Sequence, residues 1–87
     1  MVFLETESPF PNMKIFGCRY GKYSFVITLE TRTGKGYENY TGFTASWKNA
    51  TFKGKQSANR IDGGPWKTME EAIKNCQYTY HQLRNKQ

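Results

Sequence analysis

The stretch KYSFVITLET, residues 22–31, decides the fold. Tyr23, Phe25, Ile27 and Leu29 alternate with Lys22, Ser24, Val26, Thr28 and Glu30. A backbone with a period of two residues puts the first set on one face and the second, mostly polar set on the other, the pattern of a strand in a half-covered sheet. Just before it, residues 14–20 read as a shorter strand interrupted by Gly17, and Gly21-Lys22 supplies the tight turn that joins the two into a hairpin. Upstream again, Pro9 and Pro11 flank Phe10. Proline fixes φ and disfavours helix in the residue before it, so residues 1–13 are expected as an extended arm, with Phe3, Leu4 or Phe10 available to pin it to the core. Residues 14–87 are expected to form a single small domain.

Downstream, Arg32-Thr33-Gly34-Lys35-Gly36 reads as a glycine-built loop. Residues 37–44 and 46–53 follow as two further strands, rich in Tyr, Phe, Trp and Thr. Residues 54–64 are polar and glycine-bearing, a long loop with Ile61 as its anchor. Thr68-Met69-Glu70-Glu71 then fits a capping box, in which a hydroxyl accepts from a first-turn amide. Met69, Ala72, Ile73, Cys76, Tyr80 and Leu83 recur at helical spacing and define one apolar stripe. Glu70 and Glu71 at the start, with Arg84 and Lys86 near the end, have the signs that the helix dipole favours. The predicted fold class is α+β: a three- or four-stranded antiparallel sheet with one C-terminal helix packed on one face and the other face open.

A chain of 87 residues has room for one core, since a domain this small buries only about 60% of the surface of its unfolded chain. Aromatic residues make up 16% of it, so much of the core must be aromatic while some rings stay exposed; Trp47, Phe52 and Trp66 could either stack on bases or fill the core, and the core is the favoured place for them. The net charge is +6, and it is concentrated: residues 14–60 carry nine cations against Glu30 and Glu38. A central concentration of that kind attracts a polyanion at long range.

Catalysis needs convergent groups, and this chain supplies few. His81 is the single histidine and falls on the polar side of the helix; the carboxylates are scattered; Cys18 and Cys76 have no spacing for a zinc set or a nucleophile with its base. The two thiols read as buried and reduced, and with no cationic leader or long apolar run the protein is expected to be non-enzymatic, cytoplasmic and independent of cofactor, metal and membrane. The Gly34-Lys35-Gly36 loop lacks the Walker pattern and a following helix, which leaves Arg32 and Lys35 as plain phosphate contacts.

The stronger candidate segment is SWKNATFKGKQSANR, residues 46–60, where Lys48, Lys53, Lys55 and Arg60 are interspersed with amides and hydroxyls and no carboxylate. Such groups are ordinary phosphate and sugar ligands. Alternation along 46–53 does not separate a basic face, so the charge is expected at the hairpin end and in the following loop. Arg32, Lys35, Lys48, Lys53, Lys55 and Arg60 are therefore the expected contacts of a small nucleic-acid-binding protein, for DNA or RNA. The competing expectation is a protein-binding inhibitor or accessory module, for example a phage-type antagonist of a host defence or nucleic-acid enzyme, docking on an acidic partner surface. An open sheet face or edge also permits a homodimer.

Gly21-Lys22-Tyr23 opening an amphipathic strand and Lys67-Thr68-Met69-Glu70-Glu71-Ala72 opening the helix resemble the strand and helix starts of three-stranded DNA-binding modules, such as integrase arm-binding domains and a plant family of DNA-binding domains. The likeness is generic and spans roughly half of the chain; residues 44–66 would be an insertion that those compact modules lack, so no family follows from it, and fold analogy alone does not carry function.

Overall fold

The alternating stretch becomes the middle strand of the sheet. In the computed structural model, which describes residues 1–32 and 40–86, the strands are β1 (Leu4–Thr6), β2 (Met13–Tyr20), β3 (Tyr23–Arg32), β4 (Tyr40–Asn49) and β5 (Asn59–Arg60), followed by the helix α1 (Met69–Asn85). The strands pair antiparallel in chain order, β1-β2-β3-β4-β5. The sheet thus has five strands where three or four were expected. Both additions are edge strands of three and two residues, too short for an alternation to show in sequence. One of them lies within the arm, where Leu4 pairs with Gly17 and Thr6 with Ile15.

A second difference lies in β4. Where two strands were expected over 37–44 and 46–53, the described residues from Tyr40 form one continuous strand that ends at Asn49, with Ala45 near its centre opposite Ile27; residues 37–39 lie outside the described residues. Alanine does not break a strand, and here its small side chain is buried under the helix. The strand ends because the Asn49 side-chain oxygen accepts from the Thr51 amide at 3.0 Å and the Thr51 hydroxyl at 2.7 Å, turning the chain.

Residues paired across an antiparallel sheet share a face. Phe25 therefore lies with Cys18 and Trp47, and Ile27 with Phe16 and Ala45, on the side that α1 covers. Phe25 and Ile27 are fully buried there with Ala72 and Cys76 of the helix, each large side chain contributing about 1.5–3 kcal/mol of burial. Ile61 and Trp66 close the edge. The Ile61 amide donates to the Ala45 carbonyl at 2.9 Å, and Trp66 and Phe43 exchange two backbone hydrogen bonds of 2.8 Å. Ile61 thus anchors the 54–64 segment, as its isolated apolar character suggests.

The aromatic assignments divide. Trp66 is buried and Trp47 packs partly buried against the core, edge-on to Tyr23 at 5.7 Å between ring centres. Phe52 is not in the core: it is 57% exposed. The strand stops three residues before it, so alternation no longer directs its side chain inward. In the arm, Phe3 packs on the core, whereas Leu4 and Phe10 are exposed. The helix is capped by the Thr68 hydroxyl, which accepts from the Glu71 amide at 3.2 Å, and its apolar stripe faces the sheet over β3 and β4.

Candidate functional site

The sheet face away from α1 can be read row by row from the strand register. At one end Arg19, Ser24 and Lys48 lie side by side; next come Leu4, Gly17, Val26, Ser46 and Arg60; then Thr6, Ile15, Thr28 and Thr44; and last Met13, Glu30 and Gly42. The middle alternates the hydroxyl-bearing Thr6, Thr28, Thr44 and Ser46 with Gly17 and the apolar Val26, Ile15 and Leu4, while the cations Arg19, Lys48 and Arg60 are exposed at one end. Positive charge therefore stands on the sheet itself, not only in the hairpin end and loop where it was expected. The reason is register: the two-residue turn at Gly21-Lys22 sets Arg19 opposite Ser24, and Ser24 pairs with Lys48.

Of the six expected contacts, Lys48 and Arg60 belong to this face, and Lys53 and Lys55 are exposed in the loop that leaves the same end of β4. Arg32 ends β3 at the far end, opposite Tyr40, and its backbone is separated from the Ser24 row by eight residues, about 26 Å at a strand rise of about 3.3 Å. Lys35 lies outside the described residues. The structure thus splits one linear list into a cluster of four and a remote position. It adds Arg19, which sequence reasoning passed over although the Gly21-Lys22 turn already implied that Arg19 pairs with β3.

The loop after β4 is tied down at several points. The Ala50 amide donates to the Lys22 carbonyl at 2.7 Å and the Phe52 amide to the Asn49 carbonyl at 3.4 Å. The Gln56 side chain bridges to both backbone groups of Asn49, accepting from its amide and donating to its carbonyl. This clasp brings Lys55 back toward the end of β4 and holds Phe52-Lys53-Gly54-Lys55 outward.

The same end of the molecule carries an aromatic cluster under the C-terminal half of α1. Tyr80 meets Tyr20 edge-on at 4.8 Å and Tyr23 at 6.1 Å. Beside it lie two shallow cavities, one of about 350 Å³ lined by Met1, Tyr20, Gln77, Tyr80, His81 and Arg84, the other of about 320 Å³ lined by Gly21, Lys22, Tyr23, Tyr80 and Arg84. Among the described residues both walls carry cations and no carboxylate.

The two thiols are free and buried. Burial first, and the neighbouring Cys18 second, push the Cys76 thiol up to about 12. A thiol so raised stays protonated at neutral pH and is a poor nucleophile. Among the described residues no group of three or more His, Cys, Asp or Glu side chains is placed to hold a metal ion, and no helix is long and apolar enough to cross a membrane. Compared with known protein families, curated proteins and solved structures, the chain matches none.

Proposed function

We propose that the protein binds nucleic acid and acts by binding rather than by catalysis. The observation that supports this reading is the convergence of Arg19, Lys48 and Arg60 on one end of a sheet face that also carries hydroxyls, with Lys53 and Lys55 presented beside it. Cations at the border would neutralise phosphates, and Ser24, Ser46, Thr28 and Thr44 would offer hydrogen bonds to phosphate or sugar. Anisotropy titration of labelled DNA and RNA across a salt series tests it: affinity should fall by about 0.7 to 0.9 log units per contacted phosphate for each log unit of salt. A flat salt response, or no binding at low salt, refutes the reading.

A second reading, a module that docks on an acidic surface of a partner protein, draws on Leu4, which is 68% exposed on the edge strand β1 and borders the same face. Phosphate backbones make no use of an apolar side chain there, whereas a protein interface does. A stoichiometric complex that survives nuclease treatment would favour this second reading over the first.

A further inference from the structure

Phe52 is one of four exposed large aromatic side chains among the described residues, with Phe10, Tyr20 and Tyr78, and its surroundings set it apart. The ring is 57% exposed, so the fold forgoes most of the stabilisation that burying a phenyl group provides. It is not exposed because its loop is loose. Asn49 holds Thr51 through its side-chain oxygen and receives the Phe52 amide on its carbonyl, and Gln56 clasps Asn49 from the other side of the loop. The ring is therefore presented outward by a braced turn.

One edge of the ring rests on Gly54. A Cβ at that position would lie 3.3 Å from the Phe52 Cε1 atom, and Gly54 has φ of 138°, a conformation that side-chain-bearing residues rarely adopt. Glycine thus serves both the turn and the seat of the ring. On either side of Gly54 stand the exposed Lys53 and Lys55, and Lys48 and Arg60 lie on the adjoining sheet end. The arrangement is a supported aromatic surface set among cations.

We infer that Phe52 is a base-stacking residue and that the preferred ligand is nucleic acid with unpaired bases, single-stranded or locally open; this rests on the nucleic-acid reading above. A paired base in a duplex already has both faces occupied by its neighbours. An unpaired base offers a free face to the phenyl ring, while Lys53 and Lys55 meet the phosphates flanking it. Stacking of this kind tolerates any base, so the inference carries no sequence preference.

The test compares the wild-type chain, Phe52→Ala and Phe52→Trp in anisotropy binding to a short single strand carrying 2-aminopurine and to the duplex of the same sequence, at one low salt concentration. The wild type should bind the single strand more tightly and change the 2-aminopurine emission. Phe52→Ala should weaken single-strand binding roughly 5- to 150-fold, the range set by removal of one aromatic–base stack, and Phe52→Trp should restore it. Duplex binding by Phe52→Ala should stay within about twofold of wild type, as for a surface substitution outside a contact. Thermal unfolding monitored by circular dichroism should be unchanged by Phe52→Ala, because the ring is outside the core. If the wild type binds neither ligand, the nucleic-acid reading falls and this inference with it. If it binds both but Phe52→Ala weakens neither, or weakens both alike as a wedge into duplex would, the stacking inference alone falls.

Discussion

The backbone of Gly21 lies directly against the ring of Tyr80: a Cβ on Gly21 would sit 3.1 Å from the Tyr80 hydroxyl oxygen and 3.2 Å from its Cε1 atom. With φ of 61° at Gly21, the β2–β3 turn needs a left-handed residue at the point where the helix touches it. Gly21→Ala should therefore lower stability by about 1–2 kcal/mol for the left-handed conformation, with a further loss from crowding Tyr80. Urea denaturation should show a lower midpoint with an unchanged slope. In a Tyr80→Ala background the crowding part should disappear and the conformational part remain.

The Thr68 cap offers a cleaner measurement, because its exposed hydroxyl accepts one amide from Glu71. Thr68→Ala should cost about 1 kcal/mol, and Thr68→Ser close to nothing, since serine preserves the acceptor. Thermal unfolding of the two variants beside the wild type decides it. Equal losses would mean that the threonine methyl, not the hydroxyl, matters.

The Cys76 thiol sets a pH dependence of known sign. Its pKa in the fold is pushed up from an ordinary value of 9.0 to about 12, by burial first and by Cys18 second. The unfolded chain then loses the proton before the folded one does, so the contribution of this group is fully present below about pH 9 and is lost as pH rises toward 12. Denaturation midpoints measured from pH 8 upward should fall more steeply for the wild type than for Cys76→Ala. Parallel curves would show that Cys76 titrates alike in both states.

Charge placement predicts a contrast between two ends of one molecule. Reversal of Arg19, Lys48 and Arg60 to glutamate should reduce nucleic-acid affinity and flatten its salt dependence, each lost phosphate contact lowering the slope by about 0.7 to 0.9. Reversal of Lys67 and Lys74 gives the same net change per residue but lies beside the helix start and on its outer surface, away from that row. It should alter affinity only slightly. An equal effect of both sets would mean that net charge, and not the sheet end, governs association.

The relation between pattern and fold differs from element to element. Alternation over 22–31 places β3 correctly because one of its faces is buried against a helix and the other is not, the condition under which a period of two becomes visible. The helix stripe and its cap are legible for the same reason, each being a local pattern with a local cause. β1 and β5 carry no such pattern: their five residues are all exposed, and their pairing depends on neighbours that the chain meets only after folding. Phe52 was misread as core because composition says that a small domain needs its aromatics inside, whereas the turn at Asn49 decides where this one points.

The candidate site divides along the same line. That cations gather in residues 14–60 is a property of the linear chain. Which of them stand together is not, because β3 carries Ser24 and Arg32 to opposite ends of one long strand while β4 and β5 bring Lys48 and Arg60 onto adjacent rows of one face. Sequence alone determined the sheet with a capped helix on one side, since propensity, periodicity and capping act between near neighbours. Tertiary structure alone decided the basic end of the open face and the outward ring of Phe52, since strand register and loop clasping join residues by pairing across space.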